Sequence, residues 1–312
     1  MRSSLNKKNL EVKIGGMRLK NPIMTASGTA GYGEELSAFY DISRLGAIVL
    51  KGISLKPWQG NPPPRITETP CGMINSIGLQ NVGLKTFLKE KLPFVKKKSD
   101  VPVIANILGN TTGEYAKLAR SLDGEVEGIE INVSCPNVKK GGMAFGLDKK
   151  AFGKLVGRVR GDIKKSVMIV KLSPGAQDIA EFALAAQEEG ADAVSLINTI
   201  PAMAIDINTR RPLIKNVIGG LSGPAIKPIA LRMVYQAARA VKIPVIGMGG
   251  ITTGQDAVEF ILAGATAVAV GTATFINPSA PLEVLEGIEA YMSIHGVKGV
   301  AELIGGAVTG CS

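Results

Sequence analysis

A cysteine at position 135, in the stretch INVSCPNVKKGG (residues 131 to 142), follows an apolar run and stands between Ser134 and Pro136 in a polar, glycine-rich segment. A thiolate so placed can act as a nucleophile or as a base. Elsewhere, short apolar runs stop on Ser27, Lys51, Asn106, Asn132, Lys171 and Asn198, and two more stop on Gly249-Gly250 and Gly271-Thr272. Buried runs that end on two lysines and three asparagines build a polar, cationic surface rich in amide groups. The glycines of GMGGITTG and VGTATF offer backbone N–H groups suited to a phosphate. Each lysine can hold an anion or form a Schiff base with a carbonyl substrate, as in barrel aldolases.

The nucleophile reading of Cys135 lacks a partner, because the one histidine, His295, lies far along the chain in SIHGVKG. Proton abstraction beside a carbonyl needs no histidine and fits better. It requires the thiolate, and a free thiol has a pKa of roughly 8.5. Cys71 and Cys311 read as small buried hydrophobes. Three cysteines without a C-x-x-C pair make a disulfide framework, a metal site or an iron–sulfur cluster on this chain alone unexpected.

These residues need a frame. Eight β-branched, apolar runs recur along the chain: PIMTAS, AIVLKG, PVIANI, GIEINV, VMIVKL, AVSLIN, PVIGMGG and AVAVGTA. Between most of them lie helical patterns such as DIAEFALAAQEEGA and TGQDAVEFILAGA, each closing on a glycine suited to a left-handed C-cap. Eight such units predict an α/β fold, a (β/α)8 TIM barrel, with the lysines, asparagines, Ser27, Gly249-Gly250 and Gly271-Thr272 at the C-terminal ends of its strands and Cys135 three residues past the fourth. Phosphate sites on barrels commonly follow strands seven and eight, where the glycine pairs fall. Ahead of the first strand, LEVKIGGMRLK predicts a hairpin turning at Gly15-Gly16 and plugging the barrel floor. Residues 53 to about 100 and 199 to about 223 are too long for plain loops, and long top-face insertions are usually functional.

Composition sets further bounds. With 312 residues, 46% of them hydrophobic and 20% charged, the chain supports one large core, so a single domain over 1–312 is expected. The basic start MRSSLNKKNL lacks the apolar core of a secretion signal and no run is long enough for a membrane span, so a cytoplasmic location and no membrane partner are expected. The net charge of +10 raises nucleic acid as a partner. Its densest run, KEKLPFVKKKSD, reads instead as a solvated helix face, and aromatics are only 4%. No glycine run matches G-x-G-x-x-G, which disfavours NAD on a Rossmann half.

The motifs NVSCPNVKKGG, NSIGLQNVG, VKLSPG, LSGPAIKPIALRMVY, GMGGITTGQDAVEFILAGATAVAVGTA and MTASGTAGYG together resemble dihydroorotate dehydrogenase over almost the whole chain. The resemblance implies a flavoprotein barrel of pyrimidine biosynthesis that oxidises dihydroorotate to orotate with FMN, Cys135 being the base. It implies FMN contacts from Ser27, Lys51, Gly52, Asn106, Asn132, Lys171, Ile197, Gly223, Gly249, Gly250, Gly271 and Thr272. Substrate contacts fall on Lys51, Asn75, Ser76, Ile77, Gly78, Leu79, Asn132, Asn198 and Thr199. Orotate is a planar anion with amide edges, which asparagines and a lysine can satisfy.

The cysteine base and the short segment ahead of the first strand disfavour the membrane-linked, quinone-reducing branch. CPNVKKGG, GLQN and SGPAIKPIALRMVY are more similar to the NAD-linked class 1B type than to the fumarate-linked type. That branch implies a partner subunit carrying FAD and a [2Fe–2S] cluster, with a homodimer of this chain inside a heterotetramer. Loop residues 136 to 146, with Gly141, Gly142 and Gly146, suit a lid over the substrate.

Overall fold

The computed structural model describes residues 9–133, 148–176 and 178–308. Each of the eight apolar runs contains a strand: β1 (Ile23–Thr25), β2 (Ile48–Val49), β3 (Val103–Ile107), β4 (Gly128–Asn132), β5 (Val167–Lys171), β6 (Ala193–Leu196), β7 (Val245–Met248) and β8 (Ala267–Val270). They pair in parallel in the order β1-β8-β7-β6-β5-β4-β3-β2. Strands buried on both faces read as unbroken apolar runs, and β5 is buried at all five positions.

The longer helices among the described residues are α1 (Thr112–Leu122), α2 (Lys149–Arg160), α3 (Ile179–Glu188), α4 (Lys227–Ala240), α5 (Gly254–Leu262) and α6 (Ala280–Ile294). Their inward stripes follow the helical period; α3 buries Ile179, Phe182, Ala183 and Ala186. Starts are fixed by side chains that accept from first-turn amides, Thr111, Asp148, Asp178 and Thr253. Past α3 and α5, Gly190 and Gly264 take the positive φ expected of them. In the lysine-rich run, Leu92 and Val95 are buried and Lys96, Lys97 and Lys98 are exposed.

The ring closes between β1 and β2, where the strands share one parallel bridge, Met24 to Ala47. Beyond it a side chain replaces the backbone ladder: the fully buried Thr25 hydroxyl donates to Val49 O at 3.1 Å and accepts from Val49 N at 2.9 Å. Thr25→Val keeps the shape and strands both backbone groups of Val49. Each buried orphan costs about 1–3 kcal/mol, so a loss of roughly 2–4 kcal/mol is expected. Urea unfolding checks this, and a loss below about 0.5 kcal/mol would mean that water repairs the seam.

Antiparallel strands Val12–Ile14 and Met17–Leu19 form the expected hairpin, with Val12, Ile14, Met17 and Leu19 buried. A Cβ at its turn residue Gly15 would touch Asp192 and Val167, at the N-terminal ends of β6 and β5, so the hairpin lies on the barrel floor.

The two long excursions join. Ile66–Thr69 and Gly72–Asn75, from the first, pair with Gly219–Ser222 and Ile200–Ala202, from the second, in one four-stranded antiparallel sheet. They approach closely at Gly72, where a Cβ would lie 2.0 Å from Ser222 O. Cys71 departs from the buried role expected of it. It occupies the two-residue turn between Thr69 and Gly72 and is exposed, because a turn at a sheet edge faces outward. Cys311 lies outside the described residues.

Candidate active site

The strand ends converge on one cavity of about 810 Å³. That is within the range of roughly 300–1,000 Å³ usual for cofactor and small-ligand sites. All the expected site residues line it except Cys135, which lies, with the rest of the proposed lid, outside the described residues. The floor and the glycine-rich end come from the barrel, and one wall comes from the four-stranded sheet, which carries Asn75, Gly220 and Ser222.

At the end of β1 the Ser27 hydroxyl donates to Leu50 O at 3.0 Å, and the amide of Lys51 donates to Gly31 O at 2.8 Å. These bonds hold the first two strand ends together. Burial, and then the Arg65 guanidinium, push the Lys51 ammonium below the usual lysine range, while Glu35 opposes them. Lys171, the last residue of β5, is 5% exposed and lies level with Asn132 in the strand register.

Three asparagines are held in different ways. Asn132 Oδ1 accepts from Asn198 Nδ2 at 3.3 Å, and its carbonyl accepts from the Tyr115 hydroxyl at 2.7 Å. Asn198 Oδ1 also accepts from the amide of Thr199 at 2.8 Å. Asn106 is 1% exposed, and its Nδ2 donates into the barrel interior to Glu130. Its Oδ1 is one of three buried side-chain atoms among the described residues with no partner, the others being Ser76 Oγ and Tyr40 Oη. Asn106 and Ser76 both line the cavity, and buried polar atoms without partners call for a ligand.

The glycines at the far end answer to close packing. Gly249 and Gly250 take positive φ after β7, and a Cβ on Gly250 would meet the start of α4 at Lys227. Lys227 in turn bonds Asp256 Oδ1 at 2.7 Å and Glu259 Oε1 at 3.0 Å, bracing the starts of α4 and α5. Those bonds hold Lys227 above its ordinary range. Hydrogen bonds from Lys227 and from Thr252 and Thr253 outweigh burial and hold Asp256 below the carboxylate range. Gly271-Thr272 closes this end, the Thr272 hydroxyl donating to Ser222 Oγ at 2.8 Å.

Among the lining or supporting residues without a counterpart in the sequence expectations are Arg65, Gln80, Ser222 and, beneath the cavity, Glu130. Arg65 donates to Gln80 Oε1 at 2.6 Å and to Asn61 O at 3.2 Å. The charge in PPPRITET is the only sequence signal that points to it.

The family model for dihydroorotate dehydrogenase matches residues 9–292. The chain belongs to that family. Among its relatives is the protein named dihydroorotate dehydrogenase B (NAD(+)), catalytic subunit, of Thermoanaerobacter sp. (strain X514), 59% identical over 298 residues, covering 95% of this chain and 98% of the relative. The protein of the same name in Geotalea uraniireducens (strain Rf4) is 55% identical over 307 residues, covering 98% and 100%. A third, in Geobacter sulfurreducens, is 57% identical over 303 residues, covering 96% and 99%. A dihydroorotate dehydrogenase is an oxidoreductase that uses a flavin, and the cavity fits one. It offers a buried acceptor at Asn106, two lysines and glycine turns suited to a phosphate. The aldolase alternative falls with the family assignment. No helix among the described residues is long and apolar enough to cross a membrane.

Proposed function

We propose that this chain is the dihydroorotate-oxidising catalytic subunit of an NAD-linked dihydroorotate dehydrogenase, folded as one domain around one FMN. The convergence of the described candidates on a single cavity at the strand ends carries this reading. Gly249, Gly250, Gly271 and Thr272 hold the phosphate. Ser27, Lys51, Gly52, Asn106, Asn132, Lys171, Ile197 and Gly223 surround the isoalloxazine, with Lys171 supplying a cation for its reduced form. Asn75 to Leu79, Asn132, Asn198 and Thr199 match the amide edges of the pyrimidine, and Lys51 faces its carboxylate.

Cys135, as thiolate, takes a proton from the ring methylene beside the carbonyl. A flavin held in the cavity would supply the acceptor for the hydride that leaves the carbon bearing the carboxylate. The asparagines would hold the amide edges of the ring and so fix its orientation, while proton and hydride leave from adjacent carbons. Two electrons per turnover then need an exit. The relatives' names, catalytic subunit and NAD(+), support a partner chain, for which we propose FAD and a [2Fe–2S] cluster, two such chains flanking a homodimer of this one.

The deciding experiment adds dihydroorotate anaerobically to the purified, FMN-loaded chain. Immediate loss of the yellow absorption is expected. A flavin that stays oxidised would exclude dihydroorotate as the reductant, and a chain that cannot be loaded would exclude FMN.

Lys51 also sets a pH dependence. A lysine depressed by burial and by Arg65 loses its proton below the ordinary value of about 10.4, so orotate affinity falls as pH rises toward that value. Arg65→Met removes a neighbouring positive charge, which favours the charged form of Lys51 and moves the fall to higher pH. Orotate titrations across pH 7 to 10, roughly the window below the ordinary lysine value, read the midpoint. An unmoved or lowered midpoint would dissociate Arg65 from Lys51.

A further inference from the structure

Glu130 lies in β4 at 2% exposure, beneath the cavity and without a role in the reaction as described so far. A carboxyl group in the centre of a barrel is costly unless its oxygens are occupied, and both of these are. Oε2 accepts from Asn106 Nδ2 at 2.5 Å, and Oε1 accepts from the fully buried Ser195 Oγ at 2.7 Å. These partners sit on β3 and β6, so the group spans the barrel interior one layer below Asn132 and Lys171.

The consequence concerns the amide of Asn106. The end of the amide that faces the carboxyl group is the NH₂, which donates to Oε2. The other end, Oδ1, is then left buried and without a partner beside Gly52, where a Cβ would come within 2.8 Å of it, and both residues line the cavity. If the amide were reversed, a second donor would face the N–H of any ligand. An acceptor there takes an N–H group, and the isoalloxazine ring of a flavin carries one.

We propose that Glu130 is a positioning residue for the cofactor: it locks Asn106 with Oδ1 toward the cavity, so that the site selects a ligand ring presenting an N–H donor. The inference rests on the flavin reading above. Glu130 acts through Asn106 and touches no ligand itself.

FMN titration of the full-length apoprotein, followed by quenching of flavin fluorescence, tests it in four proteins: wild type, Glu130→Met, Asn106→Ala and the double variant. Glu130→Met keeps the volume and removes both acceptors. It should weaken FMN binding by roughly tenfold or more, the scale of removing one hydrogen bond to a ligand. In the Asn106→Ala background the same change should cost less than about threefold, because the group it acts through is already gone. A loss of equal size in both backgrounds means that Glu130 merely packs the barrel, and overturns the inference. So does unchanged affinity in Glu130→Met, whatever its melting temperature. Failure of the wild type to bind FMN removes the flavin reading itself and the inference with it. Should Glu130→Met not fold, Glu130→Gln carries the same cycle. Its side chain can present either end to Asn106, and a loss confined to the background that retains Asn106 is again the expected result.

Discussion

Cys135→Ala is expected to keep its flavin and to slow dihydroorotate-dependent bleaching by two or more orders of magnitude, the usual scale for a missing general base. The residue lies outside the described part of the chain, and its role rests on the loop motif and on where β4 ends. The last residue of that strand, Asn132, is pinned by Tyr115 and Asn198. Three residues further along the chain comes the thiol. The described strand ends carry lysines, amides, hydroxyls and glycines, with no carboxylate, histidine or second thiol among them. Cys135→Ser should retain part of the activity with its pH profile moved upward, since a hydroxyl is harder to ionise than a thiol. Anaerobic stopped-flow measurement separates the cases, and near-normal bleaching by the alanine variant at neutral pH would remove Cys135 from the chemistry.

Lys51→Met is expected to weaken orotate binding by about a hundredfold, or roughly 2–3 kcal/mol, the scale of removing a charge-assisted hydrogen bond from a desolvated anion. The main chain of Lys51 is fixed to Gly31 O, and its side chain is partly buried in the cavity wall, so no water shell replaces the ammonium cheaply. Flavin absorbance titrated with orotate measures the effect. A loss smaller than tenfold would mean that Arg65, nearby on the same wall, carries the anion instead.

Much of this site is legible in the residues alone. Strand ends can be read because a buried apolar run must stop somewhere, and where it stops on lysine or asparagine the side chain needs a reason. Ser27, Lys51, Asn106, Asn132, Lys171 and Asn198 all stand at such stops, and all line the cavity. Arg65 does not, because it lies in an excursion whose path depends on pairing with residues about 150 positions away. Glu130 escapes for a different reason. In GIEINV it looks like one polar residue in a strand, and only the register, which brings Asn106 alongside and Ser195 within reach, gives it partners. The turn that exposes Cys71 is hidden in the same way, since nothing local to PCG announces that strands flank it.

The four-stranded sheet also bears on how such an enzyme can change over generations. Its two halves lie far apart in the chain yet share every hydrogen bond between Gly72–Asn75 and Gly219–Ser222. A chimera that borrows residues 53 to 100 from a distant homologue while retaining 199 to 223 inherits half a ladder. That wall of the cavity then depends on two lineages that never had to match. Recombination within this family should therefore succeed when both segments travel together and fail when they are parted, even at crossover points that leave each barrel strand whole.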